Sequence, residues 1–288
     1  MSPMSKSNPK GHLKGRLFDD LHQLAAASDR RQFLRMMLGA SLAPLVGCGV
    51  QSVFGALDGG TDAGAATDGA KAGDGPGAVT SCAKIPEETA GPYPGDGSNG
   101  PNALSLSGIV RRDMRPSFAG LSGTATGVPM TLDLRLVAAN GACKDLAGYA
   151  IYAWHCDVDG KYSMYDLPNQ NYLRAVQETD ANGVASFLTI FPGCYAGRWP
   201  HIHFEVYPSL QKASSSGMKV ATSQLALPED ACNVVYASNG YGNSAANLRQ
   251  STLAGDNVFN DGVGQQLAVV SGSVAGGYAA TLLVGING

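Results

Sequence analysis

The 288-residue chain is long enough for one large domain or two small ones. Its net charge of −3 comes with no basic patch beyond about the first fifteen residues and one arginine pair, which argues against a nucleic-acid partner and points to a small-molecule ligand. No internal repeat is visible, so one domain is the simplest count.

The first signal is Asp29-Arg30-Arg31-Gln32-Phe33-Leu34-Arg35, followed by the apolar run Met36 to Val46. Paired arginines ahead of a moderately hydrophobic segment read as a twin-arginine export signal, although Asp29 stands where Ser or Thr is more usual. The run is too short to span a bilayer comfortably. It ends in Leu45-Val46-Gly47-Cys48, which resembles a lipoprotein cleavage box with Cys48 as the lipidated residue. Residues 1–47 are therefore expected to be a signal, and the location the cell envelope or periplasm, with a lipid anchor at Cys48. Residues 48–80 are dominated by Gly, Ala and Asp and have almost no large apolar side chain after Leu57. Such a segment buries too little surface to offset its ordering entropy, so it is expected to be a flexible tether to a globular body spanning 81–288.

In that body, Ser81 to Pro94 holds three prolines and reads as an extended arm laid across the domain. Asn102 to Val110 is a candidate short strand. Met130 to Ala138 alternates apolar and polar residues, the mark of a half-buried strand, and Asn140-Gly141 is a turn. Tyr149 to Cys156 reads as a buried strand, Tyr172 to Glu178 and Val184 to Ile190 as two more, with turns at 157–160 and 180–183. Val220 to Leu227, Gln265 to Ser271 and Tyr278 to Gly285 complete the strands. Pro228 to Gly264 reads as loop, with a brief helix at Ser244 to Leu248. Short strands with almost no sustained 3.6-residue period imply an all-β antiparallel sandwich. Cys82, Cys143, Cys156, Cys194 and Cys232 leave an odd count in an oxidising compartment, and Cys143 with Cys156 is the first-choice disulfide because the two flank candidate neighbouring strands.

The stretch Phe191 to Val206, FPGCYAGRWPHIHFEV, organises the rest. Side chains alternate along a strand, so His201 and His203 share a face and could hold one metal while Ile202 packs behind. Tyr195 stands six residues before His201, across a Pro/Gly-bearing segment, and Tyr162 stands just past the glycine turn at Gly160. His155 reads as a satisfied core residue. A phenol loses its proton near pH 10, so a site using two phenolates needs a strongly charged cation, and Fe(III) balances two phenolates and a hydroxide better than zinc or copper.

These residues resemble the intradiol ring-cleaving catechol dioxygenases, including the protocatechuate 3,4-dioxygenase β chain and catechol 1,2-dioxygenase. The resemblance runs from Gly91-Pro92-Tyr93 through WHCDVDGKY at Trp154 to Tyr162, then LRAVQETDANG, FPGCY and RWPHIHF, and on to the closing strands. It implies an all-β antiparallel β-sandwich of the intradiol dioxygenase (transthyretin-like) type. It implies non-haem Fe(3+) held by Tyr162, Tyr195, His201 and His203. Arg198 would stabilise charge on the bound substrate, Gln224 would stand behind the ligands as a further catalytic residue, and Tyr93 would border the substrate pocket. The implied reaction cleaves a catechol between its hydroxylated carbons with O2, giving a cis,cis-muconate and needing no reductant, with Tyr195 leaving the metal as the catechol arrives. Pro94, where a second aromatic is common, and Cys194 beside Tyr195 depart from the pattern and bear on substrate identity.

Two other readings compete. One is an envelope-anchored β-sandwich binding module whose metal site is inactive. The other is a zinc hydrolase, which would need an Asp or Glu beside the His pair to act as base.

Overall fold

In the computed structural model the described residues are 82–288. The expected signal, lipidated Cys48 and the whole of the tether lie outside them. Two β-sheets stack into a sandwich. The first sheet contains β1 (Pro129–Ala138), β2 (Lys144–Asp145), β5 (Val184–Ile190), β8 (Val269–Ser273) and β9 (Gly277–Ile286). The second contains β3 (Ala150–Trp154), β4 (Arg174–Glu178), β6 (His201–Tyr207) and β7 (Ala221–Ala226), in the order β4-β3-β6-β7.

Alternation explains the first sheet. On β1, Met130, Leu132, Leu134 and Leu136 are buried while Thr131, Asp133 and Arg135 are not, and β9 answers with Tyr278, Ala280, Leu282 and Val284. Each such Leu or Val contributes about 1.5–3 kcal/mol by leaving water. β1 pairs antiparallel with β2 and β5 but parallel with β9, Met130 facing Tyr278 and Ala138 facing Ile286. The antiparallel expectation therefore holds for every strand pair except this one.

The second sheet is buried on both faces: every residue of β3, β6 and β7 is covered. One face, with Ile202, Phe204 and Val206 of β6, joins the core between the sheets. The other, with Tyr152, Trp154 and Tyr207, is covered by Ala103, Leu104, Ile109 and Tyr162. The extended arm supplies part of that cover. It bridges β9 at Lys84 and Gly285, then crosses to β7, where the Glu88 N–H donates to the Thr222 carbonyl and the Ser223 hydroxyl to the Pro86 carbonyl, each at 2.8 Å.

Three expectations are corrected. Asn102 to Val110 forms turns closed by Leu106 N–H to Ala103 O and Ile109 N–H to Leu106 O, because Gly108 adopts φ +93° inside it. A helix, α1 (Glu229–Tyr236), stands in the stretch expected to be loop; α2 (Ser244–Leu248) is where the brief helix was expected. The disulfide joins Cys143 to Cys82, with Cα atoms 5.5 Å apart, and Cys156 is a buried free thiol. Cys143 lies in the turn between β1 and β2 of one sheet while Cys156 follows β3 of the other, and it is the arm, running along β9, that brings Cys82 to that turn.

Candidate metal centre

β6 places His201 and His203 on the outer face of the second sheet, with Ile202 in the core behind them. Both imidazoles are buried, 2% and 3% exposed. The Nδ1 of His201 is 2.5 Å from the Trp199 carbonyl, which only accepts, so that nitrogen carries the proton and Nε2 keeps a bare lone pair. Around that Nε2 stand Nε2 of His203 at 3.1 Å, Oη of Tyr195 at 3.2 Å and Oη of Tyr162 at 3.4 Å. Four donor atoms from three segments thus converge.

Two turns deliver the phenols. The reversal between Asp157 and Lys161 is held by the Asp157 carboxylate, which accepts from the Asp159 and Lys161 N–H groups at 3.0 Å. Gly160 there has φ +76°, and a Cβ on it would come within 2.8 Å of the Tyr195 Cβ, so only glycine lets the Tyr162 and Tyr195 loops meet. On the other side, α2 fixes Cys194: its N–H donates to the Ser244 hydroxyl at 2.9 Å and its carbonyl accepts from Asn247 Nδ2 at 2.7 Å. Tyr195 is held as a consequence.

One lone pair cannot satisfy three neighbouring polar atoms, and Nδ1 of His203 is buried with no hydrogen-bond partner. Donor atoms 3.1 to 3.4 Å apart have the spacing of ligands about 2.1 Å from a shared ion. Electrostatics agrees. Burial, reinforced by Arg198, takes His201 down to about 3, and burial with His201 holds His203 well below its ordinary value, so both imidazoles are neutral, as ligands must be. Burial raises Tyr195 to about 12 and Tyr162 well above the usual phenol range, so only a bound cation would make them phenolates. Among the described residues no group of three or more His, Cys, Asp or Glu is arranged to hold a metal ion, and the phenols are what complete this donor set.

Arg198 lies beside the cluster. Its Nε donates to Asp256 Oδ2 at 2.9 Å and its Nη2 to Gln224 Oε1 at 2.6 Å. Gln224 faces His203 across the β6–β7 ladder and donates through Nε2 to the Thr89 carbonyl of the arm at 2.9 Å. Burial on its own would lower the Arg198 pKa, but Tyr195 and Asp256 outweigh it and the net shift is upward, so the guanidinium stays charged. Tyr93 stacks on Tyr162 with ring centroids 4.8 Å apart. His155 is satisfied as expected, its Nε2 2.7 Å from the Thr189 hydroxyl. The structure therefore brings together Tyr93, Tyr162, Tyr195, Arg198, His201, His203 and Gln224.

Sequence reasoning missed two contributors. Asp256 is 58 residues from Arg198 inside a stretch with no pattern, and nothing local marks it. Trp154 stacks flat on the His203 ring, centroids 4.9 Å apart and planes 5° apart, and its register opposite His203 appears only once β3 and β6 are paired.

No family model matches the chain, and no curated protein matches it. Solved structures do. The intradiol ring-cleavage dioxygenase from Tetranychus urticae aligns with a TM-score of 0.56 and 24% identity over 72% of this chain and 95% of that one. The dioxygenase Tetur07g02040 gives 0.56 and 23% over 72% and 95%. The dioxygenase domain of a carbohydrate-binding fusion from Streptomyces sp. SirexAA-E gives 0.43 and 23% over 70% and 99%. The described body has the fold of the intradiol ring-cleavage dioxygenases.

Proposed function

We propose that this chain is a non-haem Fe(III) dioxygenase that cleaves a catechol between its two hydroxylated carbons with O2, giving a cis,cis-muconate-type product. The observation that carries the reading is the convergence of Tyr162, Tyr195, His201 and His203 on one point beside a partly buried, charged Arg198. A ferric ion held there would depress the phenol pKa values and accept electron density from a bound catecholate, opening the ring to O2.

The chain's own groups divide the remaining work. His201 and His203 supply neutral nitrogens, and Trp154 packs flat against His203 to fix its plane. Tyr162, 1% exposed and under Tyr93, is the permanent anionic ligand. Tyr195 is only partly buried, so it is the phenolate free to swing aside and take a catechol proton at Oη. Arg198, steadied by Asp256 and Gln224, places positive charge where the substrate oxygens become negative. Tyr93 offers a ring face at the mouth.

The test is the full-length protein purified with its metal. Bound iron, a red-brown colour and conversion of a catechol and O2 to a ring-opened diacid are expected. A colourless protein holding zinc or no metal, with no turnover across a catechol panel, would leave the binding-module reading in place.

Export and anchoring extend the proposal and rest on sequence: twin-arginine export driven by Arg30 and Arg31, and a lipid on Cys48. Changing both arginines to Lys is expected to strand unprocessed precursor in the cytoplasm, and Cys48→Ala to block lipid attachment. Normal fractionation of both variants would overturn this.

A further inference from the structure

Among the described residues Arg174 is the most deeply buried of the arginines and lysines, 1% exposed on β4, and the chemistry above does not use it. Arginine is almost never fully buried, because removing its charge from water costs several kcal/mol unless every N–H is matched. Here all five are matched, and all to uncharged oxygens. Nε donates to the Ser163 hydroxyl at 3.1 Å. Nη1 donates to the Pro94 carbonyl at 2.8 Å and the Tyr152 hydroxyl at 3.1 Å. Nη2 donates to the Tyr93 carbonyl at 3.0 Å and the Ser163 carbonyl at 2.9 Å.

Each acceptor belongs to a segment that bears on the metal centre. Tyr93 and Pro94 are the part of the arm whose ring lies on Tyr162. Ser163 follows Tyr162 directly. Tyr152 begins a column of flat rings: it stacks on Trp154 at 4.9 Å, and Trp154 stacks on His203 at 4.9 Å. The arm has been shaped to come this close. Gly95 has φ +62°, and a Cβ on it would meet Arg174 Nη1 at 2.7 Å. The same loop is tied a second time by Tyr165, over whose ring the guanidinium sits at 5.5 Å and whose hydroxyl accepts from the Gly95 N–H at 2.9 Å.

We infer that Arg174 is a positioning residue: one planar guanidinium sets the spacing between the Tyr93 cover, the Tyr162 segment and the ring column behind His203. A planar fork is what the task demands, because five donors must leave one point in fixed directions, and a lysine ammonium offers three from a rotating tip. The contacts stand regardless of what the centre binds; the consequence for catechol rests on the proposed function.

Two variants test it independently. Arg174→Lys keeps the charge and removes the fork, whereas Gly95→Ala leaves Arg174 intact and pushes the arm off it. In both, amide hydrogen exchange at Gly95 and Ala103 is expected to quicken about tenfold, the loss of roughly one hydrogen bond to a charged group, while β1 and β9 exchange as in the parent. In Gly95→Ala bound iron should stay at the parent level and KM for catechol should rise about tenfold with kcat little changed, because the cover alone is displaced; Arg174→Lys, which also releases Ser163 beside Tyr162, should show the same rise in KM together with weaker iron retention. Parent-like exchange at Gly95 and Ala103 with unchanged KM would overturn the assignment, and so would exchange that quickens equally everywhere, which marks mere packing. If Arg174→Lys does not fold, Gly95→Ala decides. If the parent itself binds no iron and turns over no catechol, the proposed function fails, and the exchange pattern still decides the role of Arg174.

Discussion

Tyr162→Phe is expected to yield a folded protein that has lost most of its iron and its colour. The ring is 1% exposed, stacked under Tyr93 and edge-on to Tyr195 and His203, and stays there without its oxygen, so the substitution removes a proposed ligand and little packing. On the proposed ligand set, what disappears is one of two anionic donors balancing a trivalent ion. Loss of a mere outer partner of a ligand costs roughly 10–100-fold in metal affinity, and loss of the ligand itself should exceed that. Tyr195→Phe is expected to be milder for iron, because this ring is partly exposed and is the ligand proposed to leave when the catechol arrives. It should slow anaerobic catechol binding by about 10²–10⁴-fold, the usual contribution of a positioned base. Iron content and stopped-flow catechol binding check both. If both variants kept full iron and unchanged colour, or if Tyr195→Phe bound catechol at the parent rate, the ligand set would be wrong.

Arg198→Ala should keep iron and colour and lose about a hundredfold in kcat/KM, roughly 3 kcal/mol, the effect of deleting one preorganised donor from a site where charge develops. The structure adds a complication. Asp256 is 1% exposed, and removing the partner of a buried ion pair costs roughly 3–5 kcal/mol in stability. The loss should fall toward the low end here, because Asp256 also accepts from the Trp199 N–H at 2.7 Å and the Val258 N–H at 2.8 Å. Those bonds keep the carboxylate occupied. The variant is therefore expected to melt earlier yet remain folded at assay temperature, and activity should be compared well below its Tm. An unchanged kcat/KM with the best catechol would remove Arg198 from the mechanism.

What the sequence displayed was whatever depends on near neighbours. Alternation in Met130 to Ala138 marks β1, and His201-Ile202-His203 gives a shared face as soon as the segment is extended. Tyr162 and Tyr195 announce themselves by their glycine turns. The helix α1 was also legible: Glu229 and Asp230 suit the positive end of a helix, and Cys232, Val235 and Tyr236 have the three-and-four spacing of one buried face. It was masked by the Gly- and Asn-rich residues around it. The rest lies in pairings between distant segments, which no local pattern encodes. Cys82 finds Cys143 only because the arm runs along β9, Asp256 finds Arg198 across 58 residues, and Arg174 finds Tyr93 across 81.

The parallel contact between β1 and β9 sets the order in which this molecule can be made. Met130 pairs with Tyr278 and Ala138 with Ile286, so β1, flanked by β5 on one side, lacks its other neighbour until nearly the whole body has been synthesised. Closing so long a loop costs entropy before any contact repays it, which makes the final docking slow relative to the hairpins. Until then a row of β1 backbone groups stands unpaired, an edge prone to sticking to its own kind. A premature stop between His203 and Gly277 would make that nascent condition permanent, with all four proposed ligands made and β1 still without its parallel neighbour.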